Sequence, residues 1–392
     1  MKMNKKRVGV DARFLTRQQR GMPLYVYMLC KYLPRVLPQV KFYFFINKAF
    51  EHNEPEASYC QRIVDVASAE NVEIVNADSE GEIVWEQKIL PKLLQTYQID
   101  LLHMPANRVC LTTSVPQIVT FHDAMEWTQL KLFNDYQIQR GVRANFYSFR
   151  MSLYRWLTYF WGMRKAKKIL SISQYAVDSI VESFPLVNDK IAYTYHGIPQ
   201  GYERTELNID VNARKGVLML GGDSLQKNPV NAILAWSKLP EHLQTQHPLT
   251  IAGFAGNQDS LISKTIEQLN LVDKVTVKGW ITSEELIVLF KQARTFLFVS
   301  HEEGFGFPLL QSMSIGTPVV TSTATVLTEI GQDAVLSAEA NNSDEIMAQL
   351  QLLLTNDATW LSQQAKGWAR AQDFDWQKAA NHVAAIYVEM LS

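Results

Sequence analysis

The chain reads as an α/β protein built from two doubly wound parallel sheets in tandem. Three observations carry this. Short β-rich runs alternate with helical stretches almost throughout, as parallel strands joined by crossover helices require. The alternation pauses once, at His196-Gly-Ile-Pro199 and the polar stretch 200–214, and then begins again. The full 392 residues are also enough for two domains of ordinary size. These observations set domains at 1–196 and 197–372, with a closing helical segment at 373–392.

In the first half, residues 8–14 form the expected first strand, followed by a loop holding Gly21 and a helix over 23–33. K-F-Y-F-F-I-N at 41–47 and residues 72–77 are further strands, and 85–97 has helical spacing. Strands follow at 100–104 and 117–123, then at 169–173, a helix at 174–184, and a strand at 190–195. In the second half, strands are expected at 217–220, 249–253, 274–279, 295–300, 318–322 and 334–337, with helices between them. Helices near 343–354, 358–372 and 376–391 close the chain. Sheets of this kind bind ligands outside the carboxyl ends of their strands, so both series are expected to border one cleft.

Composition excludes several function classes. Hydrophobic residues at 47% and charged residues at 20% describe a soluble globular protein. A net charge of −1 gives no global electrostatic case for nucleic acid. Cys30, Cys60 and Cys110 are odd in number and far apart, which fits neither a disulfide framework nor a metal site and makes a reducing cytoplasm the expectation. The basic start M-K-M-N-K-K-R runs directly into V-G-V-D-A-R without a signal-peptide apolar core, and no stretch has the length of a membrane span.

The stretch from Ser300 to Ser322, S-H-E-E-G-F-G-F-P-L-L-Q-S-M-S-I-G-T-P-V-V-T-S, is the most informative. The buried strand T-F-L-F-V-S feeds it, and Gly304 and Gly306 allow a tight turn and close approach of a ligand to the backbone. Pro308 suits a helix's first turn, and Gly316 and Pro318 end that helix. Strand, glycine turn and helix N-terminus together aim N–H groups at an anion. Glu302 and Glu303 at the same mouth offer acceptors for hydroxyls, so a phosphate bearing a sugar fits; an ordinary βαβ turn is the alternative.

The run Glu303-Gly-Phe-Gly-Phe-Pro-Leu-Leu-Gln311, followed by S-M-S-I-G-T-P-V-V, resembles the signature of glycosyltransferase family four. The resemblance implies a retaining enzyme dependent on a nucleotide sugar. It also implies the GT-B type of fold, with two Rossmann-like doubly wound parallel-sheet domains facing a central cleft. It spans nearly the whole chain, including F-D-W-Q-K-A-A, which in relatives opens a helix crossing back to the first domain. In the family pattern a Glu is followed after seven residues by a second Glu; the first contacts the donor sugar, with Gly304, Phe305, Gly306 and Phe307 as the intervening donor loop, and the second contacts the ribose. Here the second position is Gln311, which keeps an acceptor oxygen but loses the charge.

Other residues extend the expected site. In L-G-G-D-S-L-Q-K-N-P, Gly221 and Gly222 permit a turn, Asn228 is placed to cap the next helix, and Lys227 offers a compact charge to a diphosphate. In relatives the matching lysine binds the donor diphosphate, often beside an arginine whose place Gln226 takes here. The alternative is a solvated lysine at a helix start. V-T-F-H-D ends a strand, so His122 and Asp123 stand at its carboxyl end, with Asp123 orienting the imidazole or His122 packed in the core. The family has a His-Asp pair there, which places the two among the catalytic residues with Lys227 and Glu303. His103 reads as structural. In relatives a glycine loop after the first strand approaches the donor phosphates, which points to Gly21, although Met22-Pro23 replaces the usual neighbouring glycine. Trp280 and Ile281, after Gly279, correspond to the turn that meets the base, or Trp280 is a hydrophobic plug between domains.

Asp373-Phe-Asp375 has the spacing of a metal-binding pair, but its place beside Trp376 favours capping of the last helix by Asp375. No metal and no cofactor beyond the donor substrate are expected. Residues 140–168 hold eight Arg and Lys and no acidic residue, interleaved with aromatics. They suit a membrane surface, a groove for an anionic acceptor, or a core helix whose arginines reach water.

The expected reaction moves a hexose, of mannose or glucose type, from a GDP- or UDP-linked donor to a cell-envelope, exopolysaccharide or lipid-linked acceptor. T-F-H-D resembles mannosyl-transferring relatives, which points to GDP-mannose ahead of UDP sugars. Gln311 and the missing arginine motivate a non-catalytic partner subunit as the alternative, and a nucleotide-sugar epimerase of similar fold is a third reading.

Overall fold

The structure is a computed structural model that describes residues 5–17, 21–47, 56–79, 81–124, 146–202, 211–254, 259–323 and 326–392. The chain divides into two compact units, one of Met1–Gly197 with Trp376–Ser392, the other of Ile198–Asp375.

The first unit contains strands β1 (Arg7–Asp11), β2 (Lys41–Ile46), β3 (Val72–Asn76), β4 (Leu101–Met104), β5 (Gln117–Thr120), β6 (Lys168–Ser171) and β7 (Ile191–Tyr193). They form one parallel sheet in the order β3-β2-β1-β4-β5-β6-β7. Strand β2 explains why the sheet must be covered on both faces. Alternate side chains point to opposite sides, and here both sides are aromatic. Phe42 and Phe44 lie on the side of the last helix, where Phe42 meets Tyr387 at 6.3 Å between ring centroids. Tyr43 and Phe45 join the opposite core of Trp85, Phe121, Tyr159 and Met163. The last helix, Trp376–Leu391, belongs to this unit and packs beside helix Met22–Val36.

The second unit contains β8 (Val217–Leu220), β9 (Leu249–Ala252), β10 (Val275–Val277), β11 (Thr295–Phe298), β12 (Val319–Ser322) and β13 (Leu336–Ala338), in the order β10-β9-β8-β11-β12-β13 and again parallel. Trp236 and Trp360 fill its core, each satisfying its indole N–H on a backbone carbonyl, of His247 and Arg294. In each sheet the strand order reverses once, between β1 and β4 and between β8 and β11. Such switch points leave a crevice at the strands' carboxyl ends.

Several expectations need correction. The first strand stops at Asp11, because Arg13–Thr16 coils into a 3-10 turn held by the Thr16 hydroxyl on the Arg13 carbonyl. β5 likewise stops at Thr120, leaving His122 and Asp123 in the following loop. The first helix passes through Pro34 to Val36, since a proline near a helix end sacrifices little. Asn228 does not cap its helix with its side chain; it adopts a left-handed backbone (φ 54°) and its amide N–H group donates to the carbonyls of Val299 and Ala340, tying β8's loop to neighbouring segments. Arg214, placed by the sequence in a polar linker, is buried and donates to the Thr317 hydroxyl at 2.8 Å and to the carbonyls of Phe290 and Ile315.

Candidate functional site

The second unit's switch point gathers most of the expected residues. The loop after β8 runs through Gly221 and Gly222 into the 3-10 turn Leu225–Lys227 and helix Pro229–Ser237. The loop after β11 carries His301 to Gly306 into helix Phe307–Ile315. Strands β8 and β11 are hydrogen-bonded neighbours, so their loops leave the sheet side by side. Two bonds stitch them: the His301 N–H donates to the Gln226 carbonyl at 2.8 Å, and the Gln226 side-chain amide donates to the Glu302 carbonyl at 2.7 Å. Gln226, standing where relatives often have an arginine, thus holds the two loops in register.

Lys227 and Glu303 meet across this seam. The Lys227 ammonium donates to a Glu303 carboxylate oxygen at 2.7 Å and lies 5.8 Å from the centre of the Phe298 ring. Glu303 is 10% exposed and Lys227 35%, so the pair sits at a mouth rather than in the core. Gly222 makes room for it: a Cβ there would stand 3.0 Å from the lysine Cγ. Glu302, beside the pair, has its carboxyl pushed up by burial and then by the charge of Glu303.

Gly306 is the N-cap of helix Phe307–Ile315, at φ 88°, a region that L side chains avoid, and a Cβ would come 2.6 Å from Leu327. That helix has Pro308 in its first turn and no side-chain cap at Gly306, so its first turn brings unpaired N–H groups and a positive end to the loop after β11. Gly304 is half-buried and Phe305 buried in the turn, where the Phe305 ring meets Phe307 edge-on at 5.3 Å and Phe374 at 6.0 Å. Gln311 lies one turn into the helix, half-buried. Trp280 follows β10, the edge strand, two places from β8; it is 69% exposed, with Ile281 half-buried beside it.

In the first unit, Gly21 is the exposed N-cap of helix Met22–Val36 with φ 55° and ψ −124°, a conformation only glycine holds at ease. His122 is buried. Its Nε2 donates to the Pro105 carbonyl at 3.0 Å and its ring meets Tyr25 edge-on at 5.1 Å, so Pro105 orients the imidazole where Asp123 was expected to. Burial brings its pKa down to about 4, only partly opposed by that hydrogen bond, and the ring is neutral at ordinary pH. The Asp123 backbone carbonyl accepts from Tyr159. His103 is structural, bridging Tyr387 at 2.6 Å and Thr120 at 2.8 Å within the core. His196 stacks on Trp376 at 5.4 Å, and Gly197 leaves no room for a Cβ against that tryptophan.

Sequence reasoning missed a buried ion network at the carboxyl end of β1. Arg13 donates to Asp11 at 2.7 Å and to Glu86 at 2.9 Å, with all three side chains almost fully enclosed. Trp85 Nε1 bonds Asp11, Tyr154 donates to Glu86 at 2.6 Å, and Arg108 approaches Glu86 and Glu82 at 3.5 Å. Burial lowers the affinity of Arg13 for its proton, but Asp11 and Glu86 outweigh that and the net shift is upward. Burial raises the Glu86 carboxyl against the pull of Arg13 and Arg108. The available signal was D-A-R at the carboxyl end of the first strand.

Two family descriptions cover most of the sequence: "Glycosyltransferase Family 4" matches residues 20–200 and "Glycosyl transferases group 1" matches 205–371. The chain belongs to glycosyltransferase family four. O-antigen chain mannosyltransferase B of Escherichia coli is 30% identical over 234 residues, 58% of this chain and 61% of that one. The serotype-specific mannosyltransferase WbdA of Escherichia coli is 25% identical over 240 residues, 58% of this chain and 29% of that one. The chain therefore spans less than two thirds of the length of these relatives. Among solved structures, Anabaena HepE, in complex with UDP and glucose, superposes with a TM-score of 0.70 at 16% identity over 98% of this chain and 100% of that one. Sucrose-phosphate synthase from Thermosynechococcus elongatus gives 0.68 at 15% identity, covering 98% and 99%. At such identities the likeness concerns fold, and the fold is GT-B, two parallel-sheet α/β domains. Among the described residues no helix is long and apolar enough to cross a membrane, and no group of three or more His, Cys, Asp or Glu is placed to hold a metal ion.

Proposed function

We propose that this family-four chain is a retaining hexosyltransferase that moves mannose from a nucleotide diphosphate donor, GDP-mannose ahead of a UDP sugar, to a saccharide or lipid-linked acceptor of the cell envelope. The observation that carries it is the Lys227–Glu303 pair across the seam of two glycine-bearing loops at the switch point, beside a helix end with no side-chain cap. One cation, one carboxylate and a set of aimed N–H groups match the parts of a pyrophosphate-linked sugar. Lys227 and the helix end take the diphosphate, whose charge grows as the glycosidic bond breaks. Glu303, released from Lys227 by the incoming phosphate, turns its acceptor oxygens to sugar hydroxyls and fixes the ring. The donor loop from Gly304 to Phe307 supplies backbone, Gln311 bonds the ribose as an uncharged acceptor, and exposed Trp280 with Ile281 takes the base. For the first unit, the family resemblance assigns His122, Asp123 and Gly21 to substrate binding, with His122 as a neutral hydrogen-bonding group.

Retention is proposed from a front-face path, in which the departing diphosphate oxygen takes the acceptor hydroxyl's proton; no protein base and no metal or cofactor is assigned. The names of the Escherichia coli relatives support mannose as the sugar. The chain is placed in the cytoplasm, peripheral to the membrane, through helix Phe146–Lys165; the 140–145 part of the basic segment lies outside the described residues.

A donor panel scored for slow hydrolysis tests this without knowledge of the acceptor. Turnover of GDP-mannose with the α-anomer released, lost in Lys227→Ala and Glu303→Ala while thermal unfolding is kept, is the expected result. Absence of both turnover and nucleotide-induced thermal stabilisation favours a non-catalytic partner subunit, and conversion of the donor sugar to an isomer favours an epimerase.

A further inference from the structure

Helix Phe146–Lys165 has a core side and an open side. Thr158, Tyr159 and Met163 are buried, and Gly162 lies so close to Val109 that a Cβ would collide. On the other side Leu153, Leu157 and Trp161, spaced one turn apart, are 45%, 38% and 52% exposed. Half-buried Trp156 and Phe160 border them with rings stacked at 5.7 Å, and the Arg164 guanidinium lies 3.7 Å over Phe160. At about 100° per residue these six positions fall within an arc of about 140°. The adjoining 3-10 segment Pro185–Lys190 adds Leu186, 49% exposed. Two leucines and a tryptophan in one open stripe are more than scattered surface apolar residues.

The rim of this stripe is cationic. Arg164 and Lys167 are exposed, and Lys190 reaches over to donate to the carbonyls of Arg164 and Ala166 at 3.1 and 2.9 Å. Its ammonium pKa is lowered by burial and then by the charge of Lys167, so the two cations lie near each other. The helix itself carries no acidic residue; the segments Gln174–Ser183 and Pro185–Lys190 bring Asp178, Glu182 and Asp189, and Glu82 and Glu86 meet the helix at Arg155 and Tyr154, outside the stripe. An apolar stripe with a basic rim matches the boundary between acyl chains and anionic headgroups.

We propose that this face docks in the plane of an anionic phospholipid bilayer, with Leu157 and Trp161 entering the acyl boundary and Arg164 and Lys167 on lipid phosphates. The proposal rests on the peripheral placement given above and not on the transfer reaction. The test is sedimentation of the full chain, without donor, on vesicles of phosphatidylcholine alone or with added phosphatidylglycerol. Binding is expected only with phosphatidylglycerol and is weakened by salt. Leu157→Ser/Trp161→Ser and Arg164→Glu/Lys167→Glu should each lower the vesicle affinity about tenfold or more. Donor hydrolysis should be unchanged in both, which also reports that both variants fold. Failure of the wild type to bind, equal binding to neutral vesicles, or wild-type binding by both variants overturns the proposal. So does a wild-type dimer that becomes monomeric in Leu157→Ser/Trp161→Ser, which would make the stripe a contact between copies. Loss of donor turnover with vesicle binding retained would instead sink the transferase reading and leave this one standing.

Discussion

Lys227→Ala is the perturbation that bears most directly on the proposed chemistry. The ammonium is 2.7 Å from Glu303 and the side chain is 35% exposed, so the pair's contribution to folding is screened, at about 1 kcal/mol or less. Its contribution to transfer is larger, because a cation placed at a developing diphosphate charge acts where solvent is displaced. Losing one such group costs about 2.7–4 kcal/mol, or about 10²–10³ in rate. Stability and activity should therefore separate. Lys227→Arg should restore activity only in part, because a planar fork directs its donors differently from a compact ammonium. The assay is single-turnover donor cleavage with calorimetric donor affinity and a thermal melt on the same preparation. Cleavage within about threefold of wild type in Lys227→Ala, well inside the loss expected for a charge-stabilising group, would refute the role given to this residue.

Four further outcomes follow from the structure. Gly306→Ala should destabilise the second unit by about 1–3 kcal/mol and abolish donor binding, since φ is 88° and the new methyl meets Leu327 at 2.6 Å; chemical denaturation and calorimetry check it. Glu86→Ala should cost about 3–5 kcal/mol in denaturant unfolding, because it leaves enclosed Arg13 short of a partner. Acid should weaken the first unit through its buried imidazoles: His122 has a folded pKa of about 4 and His103 of about 3, against 6.5 unfolded. Stability is therefore level above pH 6.5 and falls by about 1.4 kcal/mol per pH unit per histidine below it, as the unfolded chain takes up protons that the folded core refuses. Urea midpoints measured from pH 7 to 5 read this, and a flat profile contradicts the buried neutral rings. Tyr387→Phe, which removes the hydroxyl 2.6 Å from His103 Nδ1, should cost about 1–3 kcal/mol in the same assay.

The alternation of β-formers and helical stretches was enough to read two parallel α/β sheets, because the period of a buried strand and the start of a helix are local properties. The glycine turn at 304–306 and Pro308 were legible for the same reason: a positive φ and a first-turn proline are demands made by one position on itself. What followed from three-dimensional packing was invisible. Asn228 reads as a cap, yet its amide donors go to Val299 and Ala340, partners 71 and 112 residues away. Arg214 reads as linker and is buried on Phe290 and Thr317. Asp11, Arg13 and Glu86 are unremarkable in sequence and become a closed ion network only when β1 and the segment at Glu86 are brought together.

Sequence by itself thus determined the class of fold, the glycine turn and the residue types able to hold a phosphate-linked sugar. Only tertiary structure decided which of them touch. Lys227 and Glu303 are 76 residues apart, and their contact exists because β8 and β11 are neighbours where the strand order reverses. It likewise separated the buried imidazoles from exposed Trp280, and the open stripe of helix Phe146–Lys165 from its core side. Burial and strand order are sums over distant parts of the chain, and no local pattern carries them.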